Sequence, residues 1–373
     1  MTQKKIRAVY MRGGTSRCLV FHARDLPPAG PARDRILCAA LGSPDPYGRQ
    51  LDGLGGGISS LSKACIIGPP SHPEADVDYT FAQVEVSKPV VDYAGNCGNC
   101  SSSVGPFAVD EGLVTLPAPG HTGEFAVRIH NTNTKKLIVS RFAVAGGEAA
   151  VDGDFELAGV AGRGARIALD FLDPGGASTG RLLPTGRPRD TVGGVEASLV
   201  DATNAMVFVR AKDLGLAGTE TPQAIDADRA LAARLEAIRA EAGERMGLTG
   251  SASVPKIALV APPTAFTALD GTRHAADAVH VIARVMSMGN CHRAFALTAA
   301  MCLGVAARVE GTVVHECASG ATSTSAPVTL LGHPSGVLPV AARVGRRDGA
   351  PWAESVTVYR TARRLMEGWV RVP

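Results

Sequence analysis

Gly95-Asn96-Cys97-Gly98-Asn99 stands at the head of a helical pattern of Ser, Ala, Val and Phe, and Gly289-Asn290-Cys291 repeats its core 194 residues later. Two further matches keep the same order. Thr15-Ser-Arg-Cys-Leu-Val-Phe-His-Ala-Arg-Asp-Leu26 aligns with Thr203-Asn-Ala-Met-Val-Phe-Val-Arg-Ala-Lys-Asp-Leu214 at an offset of 188, and Lys63 with Pro69-Pro70 aligns with Lys256 and Pro262-Pro263 at 193. Self-similarity at a nearly constant spacing marks a duplicated structural unit. The chain therefore reads as two copies of one α+β unit with a boundary near residue 190. Each copy builds a curved sheet around a buried helix, Asn96 to Glu111 in the first and His292 to Arg308 in the second, because a helix so poor in charge belongs in an interior. The domains expected are 1–190 and 191–373, with the last strand packing back on the first domain.

Composition narrows the class. At 373 residues the chain is longer than one core usually supports, and 45% hydrophobic and 20% charged residues with 43 glycines describe a globular protein rich in tight turns. A formal net charge of +3 without basic runs argues against nucleic acid or a membrane surface as partner. The opening Met1-Thr-Gln-Lys-Lys-Ile-Arg-Ala-Val-Tyr10 has no apolar leader core and no apolar run of about 18 residues follows, so a cytoplasmic location is expected. The eight cysteines, at 18, 38, 65, 97, 100, 291, 302 and 317, show no disulfide framework and read as reduced thiols. Cys97-Gly-Asn-Cys100 is a Cys-x-x-Cys, but no second one completes a zinc site, and no compact βαβ unit surrounds it as a thioredoxin-like role requires.

The chemistry gathers in the first copy. The loop Gly53-Leu-Gly-Gly-Gly-Ile-Ser-Ser-Leu-Ser-Lys63 offers bare backbone N–H groups to an anion. It is not a P-loop, because Ser62 precedes the lysine where that motif has glycine and Ala64 follows where it has a hydroxyl. Lys63 lies between this loop and the apolar strand Ala64 to Ile67, a position that favours a functional lysine. Cys97 stands at a helix start, where the helix dipole stabilises a thiolate. The Gly13-Gly14 turn carries Thr15, Ser16 and Arg17, whose polar groups either satisfy the turn backbone or face a substrate carboxylate. Residues 222 to 246 read as one outer amphipathic helix. Together the loop and the thiol describe a site that holds a carboxylate and moves a proton.

The set Met11-Arg-Gly-Gly-Thr-Ser16, Gly56-Gly-Ile-Ser-Ser-Leu-Ser-Lys63, Gly95-Asn-Cys-Gly-Asn99, Pro184-Thr-Gly186, Ser287-Met-Gly-Asn-Cys-His-Arg-Ala294, His333-Pro-Ser-Gly336 and Arg360-Thr-Ala-Arg363 resembles the 2-methylaconitate cis-trans isomerase family, PrpF, over essentially the whole chain. The resemblance implies a fold like that of diaminopimelate epimerase: α+β, with two pseudo-symmetric domains, each a β-barrel-like sheet around a central helix, and the site in the cleft between. It implies a cofactor-free, metal-free isomerase of unsaturated di- and tricarboxylates, with Lys63 and Cys97 as the acid/base pair and a homodimer as one assembly open to it. The substrate class includes 2-methylaconitate, 3-methylitaconate and 4-oxalomesaconate. Expected around the substrate are Thr15, Ser16 and Arg17 from the turn, Ser59, Ser60 and Ser62 from the loop, and Asn96, Gly98 and Asn99 around the thiol. The second half adds Ser287, Met288 and His292, with Ser335 and Gly336 from the His333 turn.

A proton beside a conjugated carboxylate is weakly acidic, so its removal needs a base of tuned pKa and donors for the charge that spreads onto oxygen. Burial makes an ammonium release its proton more readily and a helix start does the same for a thiol, so one group can abstract while the other returns. Two departures from the family pattern stand out. Cys18 follows Thr-Ser-Arg where relatives commonly carry glycine, and reads either as packing or as a reshaped carboxylate pocket. Cys291 mirrors Cys97, as in two-thiol epimerases of this fold, but is followed by His292 and Arg293, which suit carboxylate binding. Three functions fit these residues: a lysine–thiol isomerase, a two-cysteine epimerase of an amino or hydroxy acid, and a non-catalytic binding protein, which the presence of both Lys63 and Cys97 disfavours.

Overall fold

The computed structural model describes residues 3–251, 253–318 and 328–373. The chain divides into two compact units, Met1–Leu169 with Tyr359–Pro373, and Asp170–Val358. The division after Leu169 falls earlier than the boundary near residue 190 read from the repeat.

In the first unit β1 (Lys4–Gly13) turns through Gly14-Thr15 into β2 (Ser16–His22). Helix α1 (Pro31–Leu41) and the glycine loop lead to β3 (Lys63–Gly68), then β4 (Val77–Val84), helix α2 (Gly98–Asp110), β5 (Gly123–Asn131) and β6 (Lys136–Ala145). The pairings alternate: β1 and β2 are antiparallel, β2 and β3 parallel, β3 and β4 antiparallel, β4 and β5 parallel, β5 and β6 antiparallel. The final strand, Ala362–Val372, runs antiparallel to β1 along its whole length.

The second unit repeats this scheme. Its strands β7 (Val195–Ala202) and β8 (Asn204–Arg210) form the hairpin, helices α3 (Pro222–Ala227) and α4 (Arg229–Arg245) follow, and β9 (Lys256–Ala261) and β10 (Val281–Ser287) precede the central helix α5 (Leu297–Ala306). Strands β11 (Val328–His333) and β12 (Gly336–Arg347) close the set. The alternation of antiparallel and parallel pairs is that of the first unit, strand for strand. Lys63 and Lys256, aligned in the sequence, are each the first residue of the corresponding strand.

The two central helices are wrapped by their sheets: every residue of α2 from Gly98 to Val109 and all of α5 is buried. The outer face of the first sheet is sealed differently. Leu19, Phe21, Ala64, Ile66, Ala82 and Val84 alternate to that face and pack on Leu37, Cys38 and Leu41 of α1. Each fully buried Leu or Phe there contributes about 1.5–3 kcal/mol. Because side chains alternate along a strand, Cys18, Lys63, Cys65, Tyr79 and Gln83 are left facing α2.

Two expected elements differ. The outer helix over 222–246 is broken at Asp228, whose carboxylate accepts the Leu231 N–H at 2.9 Å and starts α4 afresh. The second central helix begins at Leu297, not at His292, because Asn290 and Cys291 pair back on Ser287 and Met286 as a hairpin and delay it.

Candidate active site

Lys63 points from the start of β3 toward α2 and is only 7% exposed. Its Nζ donates to Gln83 Oε1 at 2.5 Å and lies 5.0 Å from the Phe81 ring centroid. No carboxylate pairs with it among the described residues. Gln83 sits directly opposite on β4, and its amide nitrogen donates to the Ser59 and Ser62 carbonyls at 3.1 and 2.8 Å, which turns its oxygen toward the lysine. A solvated lysine carries little positional information; this one is held in one place by a strand register.

Most of the glycine stretch before Lys63 spends its N–H groups within the protein. The N–H groups of Gly53, Leu54 and Gly55 go to the carbonyls of Gln50, Ala40 and Leu41, and that of Gly57 to Gln50 Oε1 at 3.0 Å. A Cβ at Gly53 would meet Gly42 N at 2.1 Å, and one at Gly55 would meet Gln50 Oε1 at 2.3 Å, so the glycines are there for close packing. Ser62 is buried in the same strut, accepting from Gln50 at 2.7 Å and donating to the Val84 carbonyl at 2.8 Å. Ser59 and Ser60 lie half-buried in the short 3-10 turn that delivers Lys63.

Cys97 is the N-cap of α2. Its sulfur accepts the Cys100 N–H at 3.4 Å, and its carbonyl takes the Ser101 N–H at 2.9 Å and the Ser101 hydroxyl at 3.0 Å. The first N–H groups of an α-helix have no intrahelical acceptor, and here they belong to Gly98 and Asn99. Burial pushes the Cys97 thiol up, but the Cys100 thiol donating to it, the Lys63 charge and the Cys100 N–H outweigh that and bring it down to about 6. Asn96, just upstream, is buried and accepts from Asn131 at 3.4 Å.

The Gly13-Gly14 turn presses on the head of α2. A Cβ on Gly14, whose φ is +53°, would stand 2.3 Å from Asn99 Oδ1, and one on Gly13 would stand 2.5 Å from the Asn99 carbonyl. Only glycine permits that approach. Asn99 in turn joins Thr15 to Arg360: its amide nitrogen donates to Thr15 Oγ1 at 3.1 Å, and its oxygen accepts Arg360 Nε at 3.0 Å and the Thr15 N–H at 3.5 Å. Arg360 is 2% exposed and has no carboxylate partner among the described residues; burial lowers its pKa to about 9, with the Cys97 thiolate as the opposing influence. The Ser16 hydroxyl, 1% exposed, has no hydrogen-bond partner among the described residues. Buried polar atoms are rarely left so.

Arg17 does not join this group. It alternates to the opposite face of β2 from Ser16 and Cys18, and its guanidinium lies 5.5 Å from the Tyr10 ring on the α1 side. Cys18 belongs to packing: it is fully buried, 3.8 Å from the Ser103 hydroxyl.

In the second unit Met288 and Gly289, with φ of +53° and +82°, form the tight turn between Ser287 and Asn290. His292 Nδ1 accepts the Ala294 N–H at 3.1 Å, and the Ser335 hydroxyl donates to the Arg293 carbonyl at 2.7 Å, so the segment after Cys291 and the His333–Gly336 turn are tied together. Cys291 is unlike Cys97. Burial and the neighbouring Asp226 carboxylate push it up to about 12, and it sits in a hairpin instead of at a helix start. Lys256 also differs from its counterpart, its Nζ donating to the Ser253 carbonyl at 2.5 Å.

A thiol and a lysine, both buried in the first unit of a duplicated α+β fold, belong here to an isomerase. Residues 3–373 match the family described as PrpF protein, and the chain belongs to that family. It is 40% identical over 390 residues to the 2-methyl-aconitate isomerase of Shewanella oneidensis, covering 100% of this chain and 98% of that one. Against the 3-methylitaconate isomerase of Eubacterium barkeri it is 42% identical, covering 99% and 98%. The 4-oxalomesaconate tautomerase of Pseudomonas putida is 40% identical, with 99% and 97% covered. The crystal structure of methylitaconate-delta-isomerase superposes with a TM-score of 0.77 at 41% identity over 100% of this chain and 96% of that one. A hydroxyproline epimerase from Agrobacterium vitis shares the fold at a TM-score of 0.56 and 13% identity, over 100% and 94%.

Gln83, Gln50 and Arg360 received no role from the sequence. Arg360 stood inside the quoted Arg-Thr-Ala-Arg motif, which was its one signal. Gln83 and Gln50 carried none, since each acquires its partner through a register or a loop closure. Among the described residues, no helix is long and apolar enough to cross a membrane.

Proposed function

We propose that this protein isomerises an unsaturated di- or tricarboxylate, with 2-methylaconitate as the favoured substrate and 3-methylitaconate and 4-oxalomesaconate as alternatives. The observation that carries the reading is that Lys63 and the Cys97 thiol at the start of α2 are both buried, 7% and 8% exposed, with the lysine charge helping to hold the thiol below its ordinary value. The Cys97 thiolate removes the proton next to the conjugated carboxylate. Charge then spreads onto the carboxylate oxygens, which the Gly98 and Asn99 N–H groups, Arg360 and the unpartnered Ser16 hydroxyl stabilise. Lys63 delivers a proton to the allylic carbon, or to the original one after rotation, and recovers it from the Cys97 thiol. This sequence of steps calls on no metal or nicotinamide. His292, Ser335 and the Ser287–Met288 turn are assigned to a substrate carboxylate, and a cytoplasmic homodimer belongs to the same proposal.

The raised Cys291 thiol argues against the two-cysteine epimerase, which needs a second thiol able to ionise. The three acids differ by a methyl or a carbonyl group, worth only about 1–3 kcal/mol of discrimination. Pure enzyme offered each acid in D2O, with the double-bond absorbance followed, should label a carbon next to the double bond. Label confined to a stereocentre of a saturated hydroxy or amino acid would refute the reading.

A further inference from the structure

The proposed proton transfer uses one thiol of four that lie together. The sulfurs of Cys18 from β2, Cys65 from β3 and Cys100 from α2 are all within 4.8 Å of one another, and the Cys97 sulfur accepts the Cys100 N–H at 3.4 Å. None of the four is paired in a disulfide. Cys97 alone reaches solvent, at 8% exposure, while the other three are at 0%.

We propose that Cys97 and Cys100 form an oxidation site, in which hydrogen peroxide oxidises Cys97 and Cys100 closes a disulfide onto it, halting the enzyme until a dithiol reduces the pair. A Cys-x-x-Cys with its first thiol at a helix start is the arrangement that disulfide oxidoreductases use, and the N-cap position brings that side chain back over the third residue of the helix. The atoms balance. The Cys97 thiolate attacks one peroxide oxygen, the O–O bond breaks, and hydroxide leaves to be protonated to water, so that Cys97 becomes a sulfenic acid and the peroxide is reduced by two electrons. The Cys100 sulfur then attacks the Cys97 sulfur, its proton leaves with the departing hydroxyl as a second water, and the S–S bond forms. A dithiol such as dithiothreitol returns two electrons and two protons.

Cys100 is the resolving thiol because its N–H donates to the Cys97 sulfur at 3.4 Å and it stands at the third residue of the helix that Cys97 caps; Cys18 and Cys65 cluster with Cys100 instead. Oxidation-sensing cysteines combine a stabilised thiolate, access and an adjacent second thiol, and among the described residues of this cluster Cys97 has all three, the others being fully buried. Lys63 strengthens the case, since a cation beside the thiolate also receives the charge of the leaving hydroxide.

The inference rests on Cys97 being the reactive thiol of the proposed site, and its test needs no substrate. The full-length enzyme is treated with a few equivalents of hydrogen peroxide, digested and mass-mapped. The peptide carrying both residues should lose the mass of two hydrogens, with that mass restored by dithiothreitol. In Cys100→Ser or Cys100→Ala, whichever folds, dimedone should trap Cys97 at least tenfold more than in the wild type, and prolonged peroxide should drive it to the sulfinic acid. A disulfide from Cys97 to Cys18 or Cys65, or equal dimedone labelling in wild type and variant, would overturn the proposal. Failure of the isomerase assay with a mapped 97–100 disulfide would instead indict the proposed function alone.

Discussion

Replacing Lys63 by Met tests the core of the site. The Cys97 thiol lies about three pH units below its ordinary value of 9.0, at about 6, which is about 4 kcal/mol of differential stabilisation of the thiolate. Burial, the largest influence, acts upward and stays in the variant, as do the two hydrogen bonds from Cys100. What disappears is one positive charge, and an opposite charge within about 4–6 Å is worth about 1–3 pH units. The thiol should therefore titrate near about 7–9 in Lys63→Met, and the thiolate fraction at pH 7 should fall between about twofold and a hundredfold. Iodoacetamide alkylation, followed peptide by peptide across pH, reads this directly: Cys97 should show its inflection near 6 in the wild type, and turnover should fall on the acid side of that point. Lys63→Arg should keep the low inflection but lose most turnover, because a guanidinium does not give up its proton. The shift is also a stability statement. A depressed thiol pKa contributes stability that is complete above the unfolded value and is lost as pH falls through the folded one, so Lys63→Met should flatten the rise in Tm between about pH 6 and 9. An unchanged alkylation inflection in Lys63→Met would refute the pairing of Lys63 with Cys97.

Cys291→Ser should leave substantial activity, because a thiol pushed up to about 12 takes no part at neutral pH, and a dead enzyme would restore the two-thiol mechanism. His292→Ala should raise KM about ten- to a hundredfold with a smaller change in kcat, as expected for the loss of a charge-assisted hydrogen bond; an unchanged KM would remove it from the carboxylate site. Gly14→Ala places a Cβ 2.3 Å from Asn99 Oδ1 at a φ of +53° and should lower stability by about 2 kcal/mol or more in urea unfolding. A neutral result there would mean that the turn does not press on α2. Activity should survive dialysis against EDTA, whereas loss and recovery with a divalent ion would point to the Cys18, Cys65 and Cys100 thiols as ligands.

The position of Lys63 was legible because its neighbours determine it: a glycine loop must end before an apolar strand can begin, and the first strand residue inherits both settings. The helix start at Cys97 was legible for a similar reason, since an uncharged pattern following Gly-Asn-Cys-Gly has one sensible beginning. The packing role of the glycines was not legible. Glycine reports only that backbone approaches something closely, and whether that something is an anion or the turn at Gly42 is settled by a loop closure that no local pattern encodes. Arg17 failed for a related reason, because one residue of strand phase decides which face a side chain takes, and the chemistry of Thr15-Ser16-Arg17 is the same on either.

The sequence by itself determined the duplicated topology and the family, because ordered motifs and hydrophobic periodicity are properties of the chain read in one dimension. It also marked the two halves as chemically different, with charged residues after Cys291 and glycine after Cys97. What the tertiary structure alone decided is which groups act on the thiol. Gln83 meets Lys63 through the register of β3 against β4, and Arg360 reaches Asn99 across 261 residues of chain. Cys97 and Cys291 occupy equivalent places in the repeat, yet one is drawn to about 6 and the other driven to about 12. The reason is that a buried group's ionisation is set by the few charges and donors packed around it, and those come from wherever in the chain the fold brings them.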